Sequence, residues 1–168
     1  MLFTAARAGA IAKLQRKHLR YDGDQWTLRF HEKGGKSRQL PVRHDLERML
    51  RDYIQAAGLD DAPGDTPLFR SARRTSGRLT DKPMTGVDLC RMVKRRLKAA
   101  RLPTTLSPHS LRVFTVTDLL LQGVALEDVA YLAGHSDVRT TRLYDRRHKR
   151  VTRNIVDRIS IDLDKPVI

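Results

Sequence analysis

The sequence predicts a mainly helical domain with one small β-hairpin, which places the chain in the α+β class. The chain has 168 residues, enough for one compact domain and too few for two ordinary ones. Most of its apolar residues recur at helical spacing, and only two neighbouring segments alternate with a period of two. Hydrophobic residues make up 40% of the chain and aromatic residues only 5%, so we expect a folded core built mainly from aliphatic side chains.

The first predicted elements are a helix over residues 1–18 and the hairpin that follows it. Apolar and polar residues alternate over residues 26–31, the pattern of a half-buried strand. Residues 37–42 repeat the alternation, and Pro41 favours the edge of the sheet for this second strand. The glycine pair at residues 34–35 suits the positive φ angles of a type I′ turn between the strands.

The remaining helices are delimited by glycines and capping residues. The most regular one has apolar residues at i, i+3, i+4, i+7, i+8 and i+11 from Leu46 and ends before Gly58. Ser107 and Pro108 suit the N-cap and first position of another. Cys90 lies beside the apolar positions of its helix and is interpreted as a core residue. The helices predicted after the hairpin cover residues 46–57, 85–100, 107–122, 126–133, 140–144 and 152–159. Residues 59–83 are predicted to be a loop with a short extended piece at 67–69.

The charge predicts a polyanionic partner. Lys and Arg number 33 against 19 Asp and Glu, so the formal net charge is +14. No apolar run approaches the roughly 20 residues of a membrane span, and Met1 is followed by no secretory pattern. The single Cys90 excludes an intramolecular disulfide framework and a Cys-based zinc site. We therefore expect a soluble, cytoplasmic protein that binds DNA or RNA rather than a membrane.

The positive charge is concentrated in three runs, residues 1–20, 91–101 and 139–153. A solvated helix face is the ordinary explanation of any one run. Three separated runs in one short domain favour a surface that follows a phosphate backbone. The residues predicted to contact DNA are Lys36, Arg38, Arg91, Lys94, Arg95, Arg139 and Arg142.

Six other residues together suit the transfer of a phosphoryl group: Arg7, Lys33, His109, Arg112, His135 and Tyr144. His109 and Arg112 are three residues apart, on one face of the predicted helix. Each of the six has an ordinary structural explanation when it is taken alone. As a set they match a phosphodiester under attack, because guanidinium groups pair with its non-bridging oxygens.

Each member of this set has a predicted role. Tyr144 is the nucleophile, which would form a covalent phosphotyrosine. Since a free tyrosine has a pKa of about 10, it needs a neighbouring base, and His109 is the candidate. Lys33 at the hairpin tip would protonate the leaving sugar oxygen. The phosphate oxygens would be held by the remaining side chains, Arg7, Arg112 and His135. This scheme requires no metal ion or other cofactor.

In this order the six residues resemble the catalytic domain of the tyrosine recombinases, the phage-integrase family. The resemblance covers about residues 4–150. Its specific parts are Ser-Pro-His-Ser-Leu-Arg at 107–112 and the closing signature, Leu-Ala-Gly-His-Ser at 132–136 with Thr-Thr-Arg-Leu-Tyr at 140–144. The first-arginine motif at 4–7 and the hairpin lysine within 31–36 are weaker and gain weight from their order.

The resemblance implies cleavage of duplex DNA, one strand at a time, through a 3′-phosphotyrosyl link and a free 5′-hydroxyl. A second strand's hydroxyl then rejoins the link, without ATP or metal. It also implies a homo-oligomer, a tetramer on DNA, and a bacterial, phage or plasmid gene. Three residues depart from the family pattern outside its catalytic positions: Ala5 replaces a usual Gly, Ala10 a common Glu, and Val113 a frequent second His.

Length is the larger departure from the family. Family members usually carry further helices before the first arginine and a separate N-terminal DNA-binding domain, whereas Arg7 has six residues before it. We therefore expect residues 1–150 to be an N-terminally truncated catalytic domain. Residues 151–168 are expected to be a C-terminal tail that docks on a neighbouring protomer.

Two other functions remain open at this point. Residues 118–134 resemble a helix-turn-helix, so the chain could be a non-catalytic DNA-binding module. A type IB topoisomerase-like enzyme would share the tyrosine chemistry and relax DNA without pairing two sites. Formation of a covalent adduct excludes the first, and exchange products exclude the second.

Overall fold

A three-stranded antiparallel sheet in the computed structural model contains the predicted hairpin. Its strands are β1 (Leu19–Tyr21), β2 (Trp26–His31) and β3 (Ser37–Pro41), in the order β1-β2-β3. Leu28 pairs with Leu40 and Phe30 with Arg38 across β2 and β3. The predicted strands are confirmed, and β3 lies at the edge of the sheet, where a proline without an N–H is tolerated.

The structure describes residues 1–31, 35, 37–73, 76–103 and 105–145. Most of the predicted hairpin turn therefore lies outside the described residues. Gly35 has a φ of 74°, a conformation that glycine adopts without the strain a side chain would add. The helix predicted over residues 152–159 and the tail, residues 151–168, also lie outside the described residues.

Helix α2 (His44–Ala56) covers one face of the sheet, as its regular apolar spacing predicts. Its buried residues Leu50 and Ile54 share a hydrophobic cluster with Phe30, which is only 1% exposed. The helix ends before Gly58, whose φ of 61° is the left-handed conformation common at helix C-termini.

The later helices also agree with the sequence predictions, except that the helix predicted over 140–144 begins and ends two residues earlier. They are α3 (Gly86–Ala99), α4 (Pro108–Leu121), α5 (Leu126–Ala133) and α6 (Val138–Arg142). A second cluster joins α4 and α5, with Val116 and Leu120 packed against Val129 and Ala133. A third consists of buried residues of α3, and Cys90, interpreted from the sequence as a core residue, is only half-buried.

The prediction of a helix over residues 1–18 is wrong for most of that range. Only α1 (Ala8–Ala12) is an α-helix, and a 3₁₀ helix follows at Arg16–His18. Ala5 has a φ of 46°, which cannot continue a right-handed helix. Ala5 and Ala6 are fully buried, and Ala5 belongs to the cluster of α4 and α5. Tertiary packing therefore overrides the local helical pattern.

The predicted loop over residues 59–83 contains two short strands, β4 (Arg70–Ala72) and β5 (Leu79–Pro83), which form a separate antiparallel pair. The hydroxyl groups of Ser71 and Thr80 lie 2.6 Å apart across this pair. The predicted extended piece is packed into the protein core, because Leu68 is fully buried and its N–H donates to the carbonyl of Leu14. Among the described residues, none of the helices has the length and apolar character needed to cross a membrane.

Candidate active site

Arg7 is held at the entrance to α1. Residues 4–6, directly before it, are buried. Arg7 itself is the N-cap of α1 and has extended backbone angles. The side chain is exposed, and its Nη1 donates to the carbonyl oxygen of Gly134 at 3.0 Å. The first-arginine motif therefore lies beside the His135 motif, 127 residues later in the chain.

Arg112 lies on the inner face of α4. Its residue is only 4% exposed, and its Nη1 donates to the carbonyls of Ala5 and of Ala133, the latter at 2.7 Å. A guanidinium buried at this level needs such acceptors, because an unsatisfied buried charge is strongly destabilising. Arg112 thus connects the segment before Arg7 to the end of α5.

His109 lies one turn before Arg112 in α4 and, unlike Arg112, is exposed. The Oγ of Ser107 accepts from the N–H of Ser110, and the Ser110 hydroxyl bonds the Ser107 N–H in return. This capping box with Pro108 fixes the first turn, as the sequence predicts. His109 and Arg112 share the helix, but Arg112 points into the protein and His109 into solvent.

The end of α5 turns sharply into His135. Gly134 caps α5 in the left-handed conformation, with a φ of 67°, which glycine adopts readily. The N–H of His135 donates to the carbonyl of Ala130, and its Nδ1 lies 2.7 Å from the hydroxyl of Thr141. Thr141 is fully buried, so this hydrogen bond fixes the orientation of the imidazole.

Tyr144 follows α6 and lies against His135. The two ring centroids are 6.2 Å apart and the rings are inclined by 17°, a stacked arrangement. The phenol is half-buried and packs on the cluster that contains Ala5 and Ala133. The described structure therefore brings Tyr144 and His135 together.

Asp137 caps the short helix that leads to Tyr144. Its carboxylate accepts from the Nε of Arg139 and from the backbone N–H of Arg139, both at 2.8 Å. The side-chain bond and, second, the backbone bond lower the pKa of the Asp137 carboxyl. The cap therefore stays ionised at neutral pH, which favours the helix N-terminus.

An open cavity of about 760 Å³ lies beside these residues. Among the described residues that line it, the ionisable side chains are basic, imidazole or phenolic, and none is a carboxylate. Such a cavity attracts a phosphodiester. The lining residues include Arg7, Lys13, His31, Arg38, Tyr131, His135 and Ser136. Within the described residues, no group of three or more His, Cys, Asp or Glu side chains could hold a metal ion.

Four of the six predicted catalytic residues thus meet around the end of α5: Arg7, Arg112, His135 and Tyr144. His109 is exposed at the start of α4. Lys33 and Lys36 lie outside the described residues. Five of the predicted DNA contacts are exposed, as a backbone-contacting role requires: Arg91, Lys94, Arg95, Arg139 and Arg142.

One predicted DNA contact, Arg38, is largely buried, whereas a residue that follows a phosphate backbone is expected to be exposed. Its residue is only 5% exposed, its Nη1 donates to the carbonyl of Leu132, and its Cζ lies 4.9 Å from the centre of the Phe30 ring. The guanidinium of Arg38 therefore makes its contacts within the protein. The alternation of β3 contained the signal, since Arg38 and Leu40 occupy positions of the same face.

Sequence reasoning also missed Thr141 and the pair formed by His18 and His31. The Nε2 atoms of these histidines are 3.2 Å apart, and His31 lines the cavity. Thr141 follows His135 by six residues. This spacing does not indicate a contact unless the turn that leads into α6 is already known.

Residues 1–150 match the family model described as the phage integrase family. The tyrosine recombinase XerD of Xanthomonas campestris pv. campestris is 32% identical over 129 residues, which cover 71% of this chain and 38% of that protein. The tyrosine recombinase XerC of Bradyrhizobium diazoefficiens is 30% identical over 132 residues, 78% of this chain and 38% of that protein. The chain thus spans well under half the length of these curated relatives.

Solved structures share the fold. The XerA recombinase superposes with a TM-score of 0.70 at 21% identity, over 88% of this chain and 51% of that one. A lambda integrase dimer bound to a COC′ core site superposes with a TM-score of 0.61 at 17% identity, over 90% of this chain and 52% of that one. With residues 1–150 covered by the family model and the fold shared, the chain belongs to the phage integrase family of tyrosine recombinases.

Proposed function

We propose that residues 1–150 form the catalytic domain of a site-specific recombinase that cleaves and rejoins duplex DNA through a 3′-phosphotyrosyl intermediate. The proposal rests on one set of contacts at the end of α5. Arg7 and Arg112 converge on the two carbonyls that precede His135, and the His135 ring stacks on Tyr144. Arg7 and His135 line the basic cavity, and Arg112 and Tyr144 are joined to them through the end of α5 and the His135 ring.

The reaction exchanges one phosphodiester for another. The Tyr144 oxygen attacks phosphorus while the bond from phosphorus to the 5′ oxygen breaks, and the 5′ oxygen leaves as a hydroxyl. The 3′ phosphate stays on Tyr144. In rejoining, a 5′-hydroxyl of a second strand attacks the same phosphorus, and the tyrosine leaves and recovers its proton. Because the number of phosphorus–oxygen bonds is unchanged, no external energy source is required.

Negative charge on the non-bridging oxygens is the main electrostatic demand of this step. Arg7 and Arg112 meet it with planar guanidinium donors already fixed by bonds to the protein backbone. Preorganised donors need little rearrangement in the transition state, and losing one typically slows such a reaction by a factor on the order of 10² to 10³.

The proton of Tyr144 needs an acceptor, and His109 is the proposed base on the basis of its position in the sequence. The stacked geometry presents the face of the His135 ring to the phenol, and its Nδ1 is engaged with Thr141. We assign His135 to a phosphate oxygen instead. Lys33 is the proposed donor to the leaving 5′ oxygen, on the basis of its position in the sequence.

Duplex DNA is the proposed partner. The exposed cations of α3 and α6 suit a phosphate backbone. Related folds support the choice, since solved structures include a XerH recombinase bound to its difH substrate and a Tn1549 integrase with circular intermediate DNA. We further propose that the protein acts as a tetramer on DNA and that residues 151–168 dock on the neighbouring protomer.

A nicked duplex tests the chemistry, because the short cleaved fragment diffuses away and the covalent adduct accumulates. We expect the wild-type chain to form an adduct with a pool of nicked duplexes of randomised sequence, detected as a shifted band under denaturing conditions. Tyr144→Phe removes the attacking oxygen and leaves no adduct. Tyr21→Phe changes an exposed phenol of β1 and is the matched control, with the wild-type yield.

The products separate the alternatives. No adduct from the wild-type chain, with DNA binding retained, would contradict the proposal and favour a non-catalytic DNA-binding module. An adduct with relaxation of supercoiled plasmid and no exchange products would instead assign a topoisomerase-like enzyme.

A further inference from the structure

Three consecutive carbonyl groups at the end of α5 each accept a hydrogen bond from a different arginine. Leu132 accepts from Arg38, Ala133 from Arg112, and Gly134 from Arg7. The three arginines come from separate elements, namely β3, α4 and the N-cap of α1. The end of one short helix therefore joins three distant parts of the chain.

This arrangement has a clear physical cause. The last carbonyls of a helix have no partner within the helix and carry the negative end of its dipole. Guanidinium groups satisfy both requirements, since they are charged and offer several N–H donors in a plane. The site thus uses a helix C-terminus to collect the cations that would hold the phosphate.

Arg38 is as buried as Arg112 and differs from it in what its guanidinium packs against. It is 5% exposed and lies against the Phe30 ring, its cross-strand partner. Arg38 also lines the cavity, so a DNA phosphate there would have to compete with the Leu132 carbonyl and the Phe30 ring for its guanidinium. Its bond to Leu132 spans 94 residues of sequence and ties the β2–β3 hairpin to the turn that carries His135.

That turn is the part of the site on which the other contacts depend. The N–H groups of Gly134 and His135 donate to the carbonyls of Tyr131 and Ala130. A shift of this turn would move the Gly134 carbonyl that holds Arg7 and the His135 ring that stacks on Tyr144.

We propose that Arg38 is a positioning residue, which fixes the last turn of α5 and thereby sets Arg7 and His135 for cleavage without itself contacting the phosphate. This role rests on the proposed function. A misplacement of about 1 Å at such a site typically lowers the rate on the order of 100-fold, although the substrate still binds.

The test compares two substitutions on the same hairpin. Arg38→Met removes the buried guanidinium, and Arg29→Met removes an exposed one that bonds to Ser37, with the same loss of charge. At saturating protein on a nicked duplex, we expect Arg38→Met to cleave about 10- to 100-fold more slowly than wild type, and Arg29→Met to cleave at the wild-type rate. Both should bind uncleavable DNA with the wild-type salt dependence. Arg38→Lys restores part of the rate, because an ammonium group can donate to Leu132.

Amide hydrogen exchange supplies a readout that does not depend on activity. We expect Arg38→Met to accelerate exchange at Gly134 and His135 while the α2 amides of Leu50 and Ile54 keep their protection. If α2 loses protection as well, Arg38→Met has unfolded, and Arg38→Lys then carries the test: faster exchange at His135 supports the role and unchanged exchange overturns it.

Three outcomes would overturn the role of Arg38. They are unchanged exchange at His135, an unchanged cleavage rate, and weaker DNA binding with a flatter salt dependence, the last of which would make Arg38 a DNA contact. A wild-type chain without cleavage would contradict the proposed function alone, since the exchange measurement would still report on the link from β3 to α5.

Discussion

His18 and His31 form a hydrogen-bonded pair in which a backbone N–H sets the tautomer of His18. The N–H of Gln15 donates to Nδ1 of His18 at 3.0 Å, so a neutral His18 carries its proton on Nε2. That proton faces Nε2 of His31 at 3.2 Å. Burial lowers the pKa of His18, and repulsion from His31 and then Lys17 lowers it further. Protonation of His18 would place a second proton on Nδ1, where it faces the N–H of Gln15.

The pair predicts a loss of stability in mild acid. Because the pKa of His18 is lower in the folded state, the unfolded chain binds more protons below a pH of about 6.5. The free energy of unfolding should therefore fall as the pH drops below this value, with a slope of up to about 1.4 kcal/mol per pH unit from this group. Urea unfolding of the wild-type chain between pH 8 and pH 5 measures the slope.

Two variants isolate the contribution of the pair. His18→Gln should flatten the pH dependence, whereas His44→Gln, at the exposed start of α2, should keep the wild-type slope. Equal slopes for all three proteins would show that His18 is not the responsible group.

At the scale of elements, the first turn of α4 is specified locally. Ser107, Pro108 and Ser110 form a capping box with proline at the first helical position, and the sequence predicts this helix start correctly. The cap precedes Arg112 by little more than one turn, so it helps to direct the guanidinium into the protein.

Ser107→Ala should lower the free energy of unfolding by about 1 kcal/mol, because the N–H of Ser110 loses its acceptor. Ser107→Asp provides the carboxylate version of the same cap and should retain most of the stability. Thermal or urea unfolding of the three proteins checks this, and a Ser107→Ala variant as stable as wild type would mean that the cap contributes nothing.

The elements that the sequence did not predict are short strands, and each depends on pairing with another strand. β1 has three residues and owes its extended form to pairing with β2. β4 and β5 are largely exposed and polar, so they show no alternation of burial that a sequence pattern could reveal. The predicted N-terminal helix fails for the related reason that burial of Ala5 and Ala6 decides the backbone there.

For the whole molecule, the charge of +14 separates into two sets with different expected behaviour. Arg7 and Arg112 are bonded to the end of α5, and exposed cations on α3 and α6 are available to a phosphate backbone. Substituting the first set should remove cleavage and largely spare binding. Substituting the second should weaken binding in a salt-dependent way.

The α3 cations allow a quantitative test. Changing Arg91, Lys94 and Arg95 together to Gln should reduce the slope of log binding constant against log salt by about 2.7, since each phosphate contact contributes about 0.9. The matched control changes Arg43, Arg48 and Arg51 to Gln at the start of and along α2, and should leave the slope near wild type. Fluorescence anisotropy at several salt concentrations measures it.

The contrasting variant is Arg7→Gln, which should retain the wild-type slope while cleavage falls by a factor on the order of 10² to 10³. If the α3 triple variant and Arg7→Gln changed binding and cleavage in the same way, the separation into two sets would be wrong.

The sequence by itself determined the family and most of the helices, and it predicted the chemistry. Residue types, the step of nine from His135 to Tyr144, and local signals such as the Ser107 cap are properties of short segments. Only the tertiary structure decided how the site is held together. The bonds of Arg7, Arg38 and Arg112 to the end of α5 span 127, 94 and 21 residues. No local pattern encodes such distances, because they follow from the tertiary packing of the elements that carry the arginines.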